Sequence, residues 1–122
     1  MKRILLITAF YSCVFASLLT LLLRNETLLA AALGGERTLY STGYSDRGFE
    51  AVQIGMSSNE VAKILGNPLR KYEPEGIVPP TTEWIYSDCD PSGRSGNFRV
   101  RIVIFDKANS SVTAKRRGLY ID

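Results

Sequence analysis

The residue with the most chemistry to offer is Cys89, set between two carboxylates in Ser87-Asp88-Cys89-Asp90. A thiol nucleophile must become a thiolate, and neighbouring negative charges oppose that. The chain has no histidine, which removes the commonest general base and metal ligand. An unpaired surface or half-buried thiol is the plainer reading, with an intermolecular disulfide behind it. Three near-adjacent groups, Asp88, Cys89 and Asp90, make a weak metal signal. Glu73, Glu75 and Glu83 are spread over a proline-rich loop and suggest no acid–base pair. Gly93-Arg94-Ser95-Gly96 lacks the spacing of a phosphate-binding loop. These residues predict a protein that is not an enzyme and needs no metal or cofactor.

Charge is more informative. Residues 24–91 carry six basic and ten acidic groups, whereas residues 92–122 carry seven basic and two acidic groups. Arg99, Arg101, Lys115 and Arg117 alternate along two stretches with strand character, so they are expected to share one sheet face. A solvated outer face is the bland reading. The functional one is a basic patch for an acidic protein surface or anionic lipid headgroups. Val103 and Phe105 on the same face, with Tyr120 near its end, would give that patch an apolar centre. Nucleic acid is not expected, because aromatic residues do not interleave clearly with the arginines.

The N-terminus predicts where such a patch would work. Residues 4–23 hold 16 apolar residues of 20 and no charge, preceded by Lys2 and Arg3 and closed by Arg24. Twenty helical residues rise about 30 Å, the thickness of a bilayer's hydrocarbon core. The basic pair favours a cytoplasmic N-terminus and an exported remainder on the extracytoplasmic side of the membrane. An uncleaved transmembrane anchor fits a run this long. A cleaved signal near Ala30-Ala31-Ala32 and a lipoprotein signal ending at Cys13 are the alternatives. Residues 24–43 read as a tether, with Gly34-Gly35 stopping a short apolar segment.

The elements that must position these groups lie in residues 44–122. Ser45 can cap a short helix over 46–53, with Phe49 and Val52 on one face. Ser57-Ser58-Asn59-Glu60 has the form of a capping box for a helix over 58–65, with Val61, Ile64 and Leu65 as its stripe. Gly66 and Pro68 end it. Residues 82–87 alternate as a strand, with Trp84 and Tyr86 on one face. Residues 97–105 are the clearest strand: Phe98, Val100, Ile102 and Ile104 face one way, and Arg99, Arg101, Val103 and Phe105 the other. Residues 112–120 return, bent near Gly118. The fold class expected is α+β: two short helices packed on a three-stranded antiparallel meander, after an N-terminal transmembrane or signal helix.

Ile54-Gly55-Met56-Ser57-Ser58-Asn59-Glu60-Val61, then Ile64-Leu65-Gly66-Asn67-Pro68, then Trp84-Ile85-Tyr86 resemble the SmpA/OmlA (BamE-like) domain family. Its signature runs Gly-Met-Ser/Thr, two variable residues, Glu/Gln-Val, Leu-Gly-x-Pro and an aromatic strand. The resemblance covers about residues 45–117. It implies two helices on a three-stranded sheet, with Gly55, Met56, Ser57, Glu60, Val61, Leu65, Gly66, Pro68 and Trp84 as structural positions. Family members are small envelope proteins, mostly lipoproteins, of outer-membrane protein assembly. They bind partner proteins and can contact anionic lipid. The wider fold group includes secreted inhibitors of β-lactamases, which makes a secreted inhibitor or ligand-binding module the alternative function. A well-formed lipidation site is missing here, and the loop 73–81 is longer than the family's turn.

Overall fold

Capping decides where the helices begin. The computed structural model describes residues 2–93 and 96–122, with side chains described for Ile7, Thr8 and Phe10 onward. The chain divides into two units, residues 1–35 and 36–122.

The first unit is helical. Helix α1 runs Lys2–Arg24 and α2 runs Glu26–Ala32. Asn25 breaks them: its backbone is extended, and its side chain accepts from the amides of Thr27 and Leu28 as the cap of α2. The break falls just after the apolar run 4–23, which α1 covers as one helix. Among the described residues, no single helix is long and apolar enough to cross a membrane. Phe10–Arg24 and Glu26–Ala32 pass by length and composition only as a pair, bent by 104°.

The second unit starts earlier than the expected boundary at residue 44. Strand β1 (Thr38–Tyr40) lies in the supposed tether and pairs antiparallel with β4 (Ser87–Cys89), whose Ser87 was expected to end the strand over 82–87. Helix α3 spans Asp46–Ala51, capped by Ser45. Helix α4 spans Ser58–Leu65. Its capping box is complete: the Glu60 amide donates to the Ser57 hydroxyl, and the Ser57 amide donates to the Glu60 carboxylate.

The main sheet has four strands, not three. Its order is β2 (Arg70–Tyr72), β3 (Thr81–Ile85), β5 (Phe98–Asp106), β6 (Val112–Tyr120), all antiparallel. The added strand, β2, is three residues of polar and aromatic type, too short to give a periodic signal in the sequence. Phe49 and Val52 from around α3, Val61 and Leu65 from α4, and Trp84, Tyr86, Val103, Phe105 and Val112 from the strands form one buried cluster, with Met56 and Ile64 packed against it. Both helices therefore contribute to one side of the sheet.

Gly66 shows how tightly the helix end is held. Its φ is +72°, and a Cβ there would lie 2.8 Å from the Thr42 carbonyl oxygen. The Tyr86 hydroxyl donates to the Gly66 carbonyl at 3.1 Å, joining the end of α4 to the residue just after β3.

Candidate functional site

The alternation of β5 is as the sequence predicts, but the two faces are exchanged. Val103 and Phe105, expected at the centre of an outer patch, are 0% and 2% exposed. Trp84 stands opposite Val103 in the ladder, and the Trp84 and Phe105 rings lie 4.7 Å apart. The expected partner-binding set is thus corrected: Val103 and Phe105 belong to the core.

The basic residues of that set face the same way and are engaged there. Arg101 is 2% exposed. Its Nε donates to Asp46 Oδ1 at 3.3 Å, and its Nη1 donates to the Val100 carbonyl at 2.8 Å. Its guanidinium lies 5.9 Å from the Phe49 ring centroid. Lys115 donates to the carbonyls of Phe49 and Glu50 at 2.8 and 3.2 Å, where a cation meets the negative end of α3. Arg117 pairs with Glu50, and Arg99 pairs with Glu36 at 2.8 Å. Burial of Arg101 is tolerated because it is hydrogen-bonded and paired. These basic groups tie the sheet to α3 and to the chain before β1.

Around Arg101 sits a polar cluster that the sequence did not reveal. The Tyr44 hydroxyl donates to Asp46 Oδ1 at 2.7 Å, and the Tyr40 and Tyr44 rings stack 4.7 Å apart. The Tyr44 hydrogen bond, followed by Arg101, holds the Asp46 carboxyl below its ordinary range. Burial raises the Tyr44 phenol well above its ordinary value, and the bond to Asp46 adds to that. Asp46 is an acid in the first turn of α3, and its position 55 residues before Arg101 in sequence conceals the pair.

Phe98, Val100, Ile102 and Ile104, with Tyr120 facing Phe98, line the other face of the sheet. Phe98 and Tyr120 are register partners with ring centroids 5.1 Å apart. Ile85 joins this face beside Ile102, and Tyr72 stands beside Glu83 at its β2 side. Among the described residues, α3 and α4 pack on the opposite face, with Trp84, Val103 and Phe105. Phe98, Val100, Ile102 and Ile104 are each partly exposed, while Tyr72 and Tyr120 are 54% and 50% exposed. Ion pairs flank this face: Glu83 accepts from Arg116 at 3.3 Å, and Arg70, opposite Ile85, pairs with Asp88 at 3.2 Å. Of the expected binding residues, only Tyr120 lies here.

Cys89 ends β4, with its thiol donating to the Asp90 carbonyl at 3.8 Å. Neither cysteine is in a disulfide. Among the described residues, no group of three or more histidine, cysteine, aspartate or glutamate side chains could hold a metal ion. Arg94 and Ser95, in the segment weighed as a phosphate loop, lie outside the described residues. A cleft of about 370 Å³ is lined by Arg70, Lys71, Tyr72 and Ile85 at the β2 edge; it brings together no acid–base pair. The feature best suited to function is the apolar sheet face. Comparison with known proteins adds no relative: no protein-family model matches this chain, and no curated protein matches it in sequence.

Proposed function

We propose that this protein is a non-enzymatic binding module of a bacterial cell envelope, tethered to the membrane by its N-terminal apolar segment. The observation that carries the reading is the sheet of residues 36–122. One face builds the core with α3 and α4; the other presents Phe98, Val100, Ile102, Ile104 and the half-exposed Tyr72 and Tyr120. An apolar patch of this kind on a small domain marks a surface for another protein.

Two sequence features support the location. The uncharged run 4–23 comes directly after two basic residues, the order expected when the rest of the chain is exported. The Gly55–Val61 and Leu65–Pro68 motifs resemble the SmpA/OmlA (BamE-like) family, whose members hold partners in outer-membrane protein assembly. The binding surface proposed is the apolar face, not the basic set first expected. Anionic lipid is a secondary partner at most, since Arg101 and Lys115 are committed to internal contacts.

Membrane fractionation with mass determination of the N-terminus tests the tether. An intact N-terminus in a membrane fraction is expected; a soluble chain cleaved near residue 32 would overturn the tether and favour the secreted inhibitor or ligand-binding alternative. A photo-cross-linking residue at Ile102 tests the surface. It should trap an envelope protein that the same residue at Gln53, exposed beyond α3, does not.

A further inference from the structure

Gly118 has no evident role in the fold. It sits inside β6, opposite Val100. Its φ is not positive, and a Cβ there would meet nothing within 4 Å. Gly66 has both reasons for being glycine; Gly118 has neither. A glycine in a strand interior weakens the strand, and it often marks a place where another chain approaches closely. The strand containing it lies at the edge of the sheet. Its single neighbour is β5. Val112 exchanges backbone hydrogen bonds with Gly55 and Met56, and beyond it no strand flanks β6 among the described residues.

The side chains around Gly118 have a definite pattern. Arg116 and Tyr120 project to the apolar face on either side of it, with Val100 behind and the Phe98 ring beside Tyr120. Gly118 therefore leaves a slot between a guanidinium and a phenol. Arg117 projects to the opposite face. Arg116 and Arg117 are both more than half exposed and pair with Glu83 and Glu50. Exposed pairs of this kind exchange partners at little cost. An antiparallel pairing of two copies of β6 centred on Arg116 and Arg117 would set arginine against arginine, which disfavours a second copy of this chain as the occupant in that register.

We infer that β6 accepts an extended acidic segment of a partner protein as a fifth strand, with one large apolar side chain filling the slot over Gly118 and two consecutive carboxylates meeting Arg117 and Arg116. Main-chain hydrogen bonds would supply affinity, and the slot and the two arginines would supply choice. The register sets the chemistry. In an antiparallel addition, the residues opposite Gly118, Arg117 and Arg116 are consecutive along the partner strand. They are apolar, acidic and acidic. This inference rests on the binding-module reading and names its partner's chemistry.

The test uses the full chain in a non-ionic detergent and a fluorescein-labelled ten-residue peptide. The peptide carries phenylalanine followed by two glutamates at its centre, flanked by threonine and valine. A second peptide has lysines for the glutamates. Fluorescence anisotropy should show binding of the acidic peptide, at least tenfold weaker binding of the lysine peptide, and a loss of affinity on raising salt. Gly118→Val should weaken binding at least tenfold while leaving Tm unchanged or higher, since valine favours strands and meets open space there. Arg116→Glu with Arg117→Glu should reverse the preference between the peptides. Several results would overturn the inference: no binding of the acidic peptide, equal binding of both, unchanged affinity in Gly118→Val, or a lowered Tm in that variant. If the peptide fails while the Ile102 cross-link still traps an envelope protein, the binding-module reading stands with its contact elsewhere. If both fail, that reading falls too.

Discussion

Arg101 and Asp46 form a lopsided pair: the Arg101 side chain is 2% exposed and that of Asp46 is 60% exposed. Removing the outer partner should therefore do more harm than removing the inner one. In Asp46→Ala, a buried guanidinium loses the carboxylate paired with its Nε. Breaking a fully buried pair costs about 3–5 kcal/mol. Here the cost is reduced, because Asp46 is largely solvated and Arg101 keeps the Val100 carbonyl and the Phe49 ring; about 2 kcal/mol is expected. In a unit of this size that lowers Tm by about 8–16 °C. Arg101→Met keeps the buried chain and removes the charge, so its stability should lie within about 1 kcal/mol of the parent. With Arg101→Met already present, Asp46→Ala should add little. Trp84, the single tryptophan, is buried beside Phe105, so its fluorescence in a urea titration of the full chain reads the unfolding of this core. The double-mutant cycle gives the coupling. If Arg101→Met proves the more damaging change, or the two changes simply add, the buried-charge account of this face is wrong. The acid limb offers a second reading of the same pair. The Asp46 carboxyl is held below its ordinary value of 3.8. Its contribution is therefore full above that value and is lost as pH falls through the lower folded value; Asp46→Ala should remove this part of the acid loss.

Other consequences come from particular contacts. Phe105→Ala should cost about 3–5 kcal/mol and Ile104→Ala about 1 kcal/mol, by the same titration, because only Phe105 is in the core; the opposite ranking would mean that β5 presents its other face inward. Gly66→Ala should be destabilising by at least about 1 kcal/mol, from its positive φ and the close Thr42 carbonyl, whereas Gly118→Ala should leave the urea midpoint unchanged or raise it. Ser57→Ala should cost about 1 kcal/mol through loss of the α4 cap. Burial raises the Tyr86 phenol well above its ordinary value of 10.0. Stability is therefore full below pH 10 and should decline above it, as the unfolded chain ionises first; Tyr86→Phe should make that alkaline decline shallower.

The division between local and distant interactions decided what could be read in advance. Ser45 and Ser57 begin their helices at the positions expected, and Gly66 ends the second, because a cap joins groups three or four residues apart. The alternation of residues 98–105 was equally legible, since the pleat has a period of two whatever surrounds it. The apolar run 4–23 is one helix as expected, but its composition did not reveal the Asn25 cap that turns the chain into a second helix, α2.

Which face of β5 is buried was a question of another kind. Phe98, Val100, Ile102 and Ile104 make the more apolar set, and by the sequence alone that set belongs inside. The tertiary structure buries Arg101, Val103 and Phe105 instead. Asp46 supplies a counter-charge to Arg101, and the end of α3 supplies carbonyls to Lys115. A residue's cost of burial depends on partners that only folding brings near, here from 55 and about 65 positions away. The sequence determined the caps, the strand periods and the charge imbalance between its two parts. The tertiary contacts decided that the basic residues brace the inside of the fold and that the apolar set faces outward.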